Sequence, residues 1–313
     1  MHVTVAICTW NRADMLRQTL EQMERLAVPS GATWELLVVN NHSTDATDQV
    51  IAAFEQRLPV RRLYEAEPGL SNARNAAIRE AGGEYIIWTD DDVLVSEDWL
   101  QEYAYAFRQW PEASVFGGRI DPWFIGSPPA WLPRVFSQVR NAFATLDLGD
   151  EPQPLSRNRF PFGANMAFRM ADQARFPYQP TLGRRAGSLL GGEEVDLVQR
   201  MLDAGLTGRW VPTARVRHLI PADRQTTRYL RAYFFAQGQL QPPQSGDRVP
   251  KLWGRPRWLW RRAMEAEFSY RIRRLGSGPE TWIGDLIEAS MLWGQLRGLT
   301  DTMPPPRRGL GPA

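Results

Sequence analysis

Asp90-Asp91-Asp92 follows the apolar run Tyr85-Ile86-Ile87-Trp88 and offers three carboxylates at one point of the chain. Carboxylates crowded at a strand end repel one another unless a cation or donors offset them, and hard oxygen ligands suit Mg2+ or Mn2+. A metal held there would neutralise a departing diphosphate. A solvated loop or an N-cap uses the same residues for less. Glu193-Glu194-Val195-Asp196 opens an amphipathic stretch after Gly191-Gly192. The helix dipole favours acids in a first turn, and an acid so placed can also serve as general base toward a hydroxyl. Asn40-Asn41-His42-Ser43-Thr44-Asp45 is made of turn and capping residues whose amides are able to read a nucleobase. Arg74, one helical turn after Leu70 in Gly69-Leu70-Ser71-Asn72-Ala73-Arg74-Asn75, stands near a helix start where phosphate could bind.

Elements must bring these groups together. Over the first 120 residues apolar runs alternate with amphipathic segments. Val3–Cys8, Trp34–Asn40, Val60–Tyr64, Tyr85–Trp88 and Ser114–Ile120 read as strands. Between them lie helices from Asn11 as cap to Arg25, from about Thr44, over Ser71–Ala81 and over Glu97–Gln109. This alternation predicts an α/β fold with a mainly parallel sheet flanked by helices, in which ligands bind outside the carboxyl ends of the strands. Thr9–Arg12, Asn40–Asp45 and Asp90–Asp92 all fall at such ends. Composition narrows the class further. The 313 residues are 43% apolar and carry a net charge of +2, which excludes a generic polyanion binder and so argues against nucleic acid as partner. Cys8 is the single cysteine, so no internal disulfide and no cysteine-based zinc site forms. No apolar run approaches the roughly 18 residues of a membrane span, and the N-terminus enters strand-like sequence directly. A soluble, cytoplasmic protein, peripheral at most to the inner face of a membrane, is the expectation.

Taken together, these stretches resemble the inverting nucleotide-sugar glycosyltransferases of family 2, with the Rossmann-like GT-A fold. The resemblance rests on Thr9-Trp10-Asn11-Arg12, Val39–Asp45, Pro68–Asn75, Thr89–Asp92, Gly163-Ala164-Asn165-Met166-Ala167 and Gly192–Leu197, in order across residues 3–220. It implies a nucleotide pocket lined by Thr9, Asn11, Arg12, Asn40, Asn41, Ser43, Arg74, Asp90 and Asp91. It further implies a DxD pair, Asp90 toward the ribose or metal and Asp92 on the metal, with His218 as a further ligand to Mn2+ or Mg2+. Glu194 matches the catalytic base, with Glu193 as the fallback. Gly163 and Asn165 resemble the acceptor-side segment, to which Trp131 is added. Two departures stand out. The family's acidic pair is Asn40-Asn41 here, which leaves the donor open among UDP, dTDP and GDP sugars. The family's usual catalytic Asp is Glu194 here, whose longer arm keeps the chemistry and shifts the geometry. Apart from these, the QxxRW signature of processive relatives has Leu206 in place of Gln before Arg209-Trp210, so a single addition is expected. The acceptor is a glycan, a lipid-linked molecule or a small molecule. A nucleotidyltransferase is set aside because no glycine- and lysine-rich loop lies between Val3 and Arg25; a non-catalytic nucleotide-sugar- or glycan-binding protein on the same fold is the alternative.

The C-terminal third differs in kind. Residues 1–222 carry a net charge of −5 and residues 223–313 a net of +7. The division expected is a catalytic domain over 1–222 (nucleotide half 1–120, acceptor half 121–222), a helical basic extension over 223–303 and a disordered tail over 304–313. Seven Arg against two Glu, mixed with Trp258, Trp260, Phe268 and Tyr270, lie between Arg255 and Leu275. That mixture suits a membrane surface through 253–275, or a basic face packed on the catalytic domain. Trp282, Leu286, Ala289, Trp293 and Leu296 recur at helical spacing and suit packing or a homodimer contact. The glycine- and arginine-containing loop Tyr178–Gly192 is read as a lid.

Overall fold

The computed structural model describes residues 1–184, 189, 191–241 and 249–298. The expected tail at 304–313, the last residues of the extension, and Arg185 and Gly187 of the expected lid lie outside the described residues. The chain divides into two units. The first comprises Met1–Ser127, Arg140–Gly183 and Gly192–Ala222; the second joins Pro128–Val139 and the described residues of Arg184–Gly191 to those from Asp223 onward.

The first unit is built on eight strands: β1 (His2–Thr9), β2 (Thr33–Asn40), β3 (Val60–Tyr64), β4 (Tyr85–Asp90), β5 (Val93–Val95), β6 (Val115–Phe124), β7 (Met166–Arg169) and β8 (Gly208–Ile220). Their order is β3-β2-β1-β4-β7-β6-β8-β5. β3, β2, β1 and β4 run parallel, as the alternating pattern requires. β7 enters antiparallel to both β4 and β6, whereas β6 and β8 pair in parallel. Ile7, Val38, Val39, Ile86, Ile87 and Trp88 are fully or almost fully buried, because a sheet covered on both faces needs apolar residues on both. Helices α1 (Ala13–Met23), α2 (Thr47–Ala52), α3 (Leu70–Glu80) and α4 (Trp99–Gln109) follow the strands. α1 buries Leu16, Leu20 and Met23, the face expected from their spacing.

The β1–β2 register sets Thr9 beside Asn40, and the β1–β4 register sets Cys8 beside Asp90. The three polar clusters therefore meet at one edge. β8 brings a further group there: Val93 of β5 pairs with His218. The β6–β8 ladder carries an irregularity at Gly118/Arg119, where β8 advances from Val211 to Arg215.

The second unit holds α5 (Trp131–Val139), α8 (Thr227–Leu240), a hairpin of β9 (Lys251–Leu252) and β10 (Arg255–Pro256), α9 (Arg257–Gly276) and α10 (Pro279–Arg297); α6 (Met170–Gln173) and α7 (Glu193–Asp203) belong to the first. α10 packs on α8, α9 and α5. A Cβ on Gly238 would sit 2.1 Å from the Met291 carbonyl, and one on Gly294 the same distance from that of Phe235. Only glycine lets those two backbones cross so closely. The expected stripe on α10 is an interior one, with Trp282, Leu286, Ala289 and Leu296 all buried. Trp258, Trp260 and Trp293 are half-buried against the α9–α10 cluster. The stretch 121–160, expected to stay in one catalytic domain, divides: α5 joins the helical unit, where Arg134 bridges Glu280 at 2.6 and 2.8 Å.

Candidate active site

Two clusters share the strand-end edge. The first is built on β1, β4 and α1. Thr9 donates its hydroxyl to Asp91 Oδ2 at 2.7 Å, and Arg12 donates to Asp91 Oδ1 and Asp92 Oδ2, each at 2.6 Å. Thr19 donates to the Asp91 carbonyl at 2.9 Å. Both Asp91 oxygens thus accept from donors, which selects the anion, while burial pushes the same carboxyl up and Arg12 pulls it back. Asp91 is buried and fully engaged, so the nucleotide-binding role expected of it is corrected to that of an internal anchor, with Thr9 as its partner. Asp92 is also buried, with Oδ2 3.4 Å from His218 Nε2. His218 Nδ1 lies 2.7 Å from the Phe143 carbonyl, which can only accept, so Nδ1 carries a proton. Asp92 Oδ2, which already accepts from Arg12, and His218 Nε2 thus stand side by side as two groups able to ligate one metal ion.

The expected metal set needs one correction. Among the described residues no three His, Cys, Asp or Glu side chains converge to hold an ion. Asp92 and His218 are brought together; Asp90, half-exposed, stands 3.9 Å from Arg74 instead. Two protein donors still fit a Mg2+ or Mn2+ ion whose remaining ligands come from phosphate and water.

The second cluster centres on Arg74. α3 carries it on the buried face with Ala73 and Ala77, whose small side chains let the helix lie close to the sheet. Its guanidinium is 3.2 Å from Glu193 Oε1, 3.9 Å from Glu194 Oε2 and 3.9 Å from Asp90 Oδ1. Aromatic rings of Trp88 and Tyr178 flank it, with centroids 5.8 and 5.2 Å away. Gly163 makes the space: a Cβ there would lie 2.2 Å from Arg74 Nη2. Glu193 and Glu194 open α7 from Gly192, whose φ of 97° favours glycine. The Glu193 side chain is 3% exposed and the Glu194 side chain 21%. Burial pushes Glu193 up to about 8, with the neighbouring Glu194 adding to the rise and Arg74 opposing it. Its Oε2 is buried and has no hydrogen-bond partner among the described residues.

Several expected site residues turn out to be builders. Asn40 accepts from the Ser43 amide and donates to Asp48; Asn41 donates to the Glu65 and Glu67 carbonyls and accepts from Gly69 N at 2.8 Å. Their amides are spent on the protein, which corrects the base-reading role; Asn41 instead bolts β2 to the start of α3 and so sets Arg74. Asn11, expected to cap α1, has a φ of 51°, accepts from Thr44 N on its side-chain oxygen and donates its backbone N–H to Ser43 Oγ. The α1 cap comes from Asp45, which accepts from Ala13 N. Asn165 is fully buried and saturated: it accepts from Trp99 and Tyr103 and donates to the Arg119 and Ala214 carbonyls. It fills the β6–β8 irregularity, a structural role in place of an acceptor-side one. Trp131 belongs to the second unit and packs on Trp282 at 5.8 Å. Of the expected lid, Tyr178 and Leu182 are fastened to α3 through Asn75 and Ser71. Three exposed rings, given no role by the motifs, also stand at this edge. Trp10 follows β1, and His42 shares a 2.7 Å hydrogen bond with Tyr64 at the ends of β2 and β3. Their signal is position at or just past a strand's carboxyl end.

A largely parallel sheet flanked by helices, with an arginine, carboxylates and exposed rings at its strand ends, is the architecture of the GT-A fold. A model of glycosyl transferase family 2 matches residues 4–172, and the chain belongs to that family: it is a glycosyltransferase. It is 24% identical to the succinoglycan biosynthesis protein ExoM of Rhizobium meliloti, over 76% of this chain and 74% of that protein. It is 22% identical to the glucosyl-dolichyl phosphate glucuronosyltransferase of Haloferax volcanii, over 79% and 80%. Among solved structures, the mannosyltransferase PcManGT from Pyrobaculum calidifontis in complex with GDP-Man and Mn2+ superposes with a TM-score of 0.54 at 18% identity, covering 94% of this chain and 72% of that one. Staphylococcus aureus TarS 1-349 gives 0.55 at 13%, covering 95% and 91%. No helix among the described residues is long and apolar enough to cross a membrane.

Proposed function

We propose that this chain moves one sugar from a nucleoside diphosphate donor to an acceptor hydroxyl with inversion at the anomeric carbon. The observation that carries this reading is the Arg74 node, where one buried guanidinium faces Asp90, Glu193 and Glu194. Glu194, the more exposed acid of its pair, takes the acceptor proton as that oxygen attacks opposite the diphosphate. Glu193 holds Arg74 and is too buried to meet an acceptor. Asp90 faces the donor ribose. Asp92 and His218 would hold Mn2+ or Mg2+, which would offset charge on the leaving diphosphate. Trp10, His42 and Tyr64 supply exposed rings for the base, a task the Asn40 and Asn41 amides do not have free. The solved relatives named above include one bound to GDP-Man, and TarS is also known with UDP; donor candidates are UDP, GDP and dTDP sugars. One relative is named for succinoglycan biosynthesis and one for a glucosyl-dolichyl phosphate, so a glycan or lipid-linked acceptor is favoured.

The test is a thermal-shift panel of UDP, GDP and dTDP with and without Mn2+, joined to donor turnover, on wild type, Asp92→Asn and Glu194→Gln. A ligand bound only by the native state raises its stability. The expected result is one nucleotide with a Mn2+-dependent shift that Asp92→Asn abolishes, and an unchanged shift with turnover down about 10²–10⁴-fold in Glu194→Gln. Full turnover in Glu194→Gln would remove the base assignment. Donor binding without any turnover by wild type would favour a binding protein on the same fold.

A further inference from the structure

α9 is a helix with two apolar faces. Leu259, Ala263, Ala266 and Tyr270 are buried on one side, in a cluster with Leu292 and Leu296 of α10. At roughly 100° per residue, the opposite side carries Met264, Phe268, Ile272 and Leu275 in one stripe. All four are exposed, Phe268 at 68% and Leu275 at 87%. Trp253, 80% exposed, stands in the turn of the β9–β10 hairpin just before the helix. Surface apolar residues scattered singly mean little, but a continuous stripe marks a contact surface.

The charges around the stripe say what covers it. Arg257, Arg261 and Arg271 fall on the same arc as the apolar side chains, and among the described residues Glu265 is the one acid there. Beside the C-terminal half of α9 lies an open groove of about 700 Å³, lined by Arg228, Arg231, Arg271, Arg274 and Leu275. Its one lining carboxylate is Glu267, which is paired with Arg231 and, at 2.8 Å, with Arg271. Four guanidiniums against one carboxylate leave positive charge next to an apolar stripe. A second copy seated here by two-fold symmetry would oppose arginines with arginines. A surface of lipid phosphates supplies the missing anions, and its acyl boundary takes the apolar side chains.

We propose that this face of α9 seats the protein on an anionic phospholipid surface: Trp253, Met264, Phe268, Ile272 and Leu275 enter the headgroup–acyl boundary, and the arginine groove binds lipid phosphate. Trp258 and Trp260 are half-buried against the α9–α10 cluster, with Trp260 edge-on to Trp253 at 5.3 Å.

The experiment is flotation of the full chain with vesicles of phosphatidylcholine alone or with about one-third phosphatidylglycerol, at low salt and at about 0.5 M salt. It needs neither donor nor turnover, so its outcome is separate from that of the transfer reaction. Wild type should float at least about tenfold more with the anionic vesicles, and salt should reduce this. Phe268→Ser with Leu275→Ser should lose about tenfold at unchanged melting temperature, and Arg228→Gln with Arg271→Gln should lose the preference for phosphatidylglycerol. Equal flotation on both vesicle types, or a Phe268→Ser/Leu275→Ser variant that floats like wild type, would overturn the proposal. So would a wild-type dimer that the same pair of substitutions converts to monomer, since a second copy would then be the occupant. If either double variant fails to fold, the vesicle preference and salt response of wild type still decide.

Discussion

Arg74 is where a single side chain does most for this site. It stands between an acid assigned to the donor and one assigned to the acceptor, and neighbours on three sides hold it. Gly163→Ala would drive a methyl group to 2.2 Å from Nη2. We expect it to cost about 1–3 kcal/mol of stability and to lower turnover in the same protein sample; unfolding by denaturant together with a rate assay checks both, and unchanged values would mean that Arg74 moves freely. Glu193 offers a second test at this scale. A carboxyl whose folded pKa stands above its unfolded one takes up a proton on folding, so stability falls with rising pH between the two values. For Glu193 that window runs from the ordinary value of 4.5 up to about 8, because burial outweighs the pull of Arg74. Melting temperature should therefore decline as pH rises through this range, and Glu193→Gln, neutral throughout, should flatten the decline. Parallel profiles in the two proteins would exclude Glu193 as its source.

Among the elements, the irregular β6–β8 pair decides where His218 stands. A strand that advances past its partner leaves carbonyls without ladder partners, and Asn165 bonds those of Arg119 and Ala214 while accepting from Trp99 and Tyr103. A Cβ at Gly118 would strike both the Ala214 carbonyl and the Asn165 amide, so the bend admits only glycine there. Asn165→Leu leaves four buried polar groups without their partner and should destabilise by about 2–4 kcal/mol. Denaturant midpoints measure this, and a change under about 0.5 kcal/mol would show that the bend holds without the amide. The β1–α1 and β2–α3 turns work by the same logic. Asp45 caps α1 and Asn41 fixes the start of α3, so Asn41, expected to meet a ligand, spends its side chain on geometry.

For the whole molecule, the division of labour does not follow chain order. α5 leaves the middle of the catalytic sequence to join the C-terminal helices, with Leu132, Val135 and Val139 buried and Trp131 on Trp282. A fragment ending at Ala222 keeps α5 and lacks α10, and its apolar face has no cover. We expect residues 1–222 to aggregate on size exclusion, whereas a monomeric, donor-binding fragment would show that α5 does not need its partner. The net charge of +7 over residues 223–313 belongs to this second unit, apart from the acids that dominate the first.

Sequence alone determined the α/β class, the parallel strands β1 to β4, the face of α1 that is buried, and the meeting of three polar clusters. Each follows from local rules: apolar alternation, helical spacing, and the fact that loops after parallel strands share one edge. The acids at 90, 92, 193 and 194 were legible for the same reason, since charge at a strand end or after a glycine pair stands out from its neighbours. Tertiary structure decided which of these groups face outward. Asn40, Asn41 and Asn165 have residue types equally suited to bind a ligand or to satisfy buried backbone, and only their partners, up to 66 residues away in sequence, settle the choice. The pairing of β7 and β8, the assignment of α5 to the helical unit and the two-faced exposure of α9 likewise depend on contacts between distant segments, which no local pattern encodes.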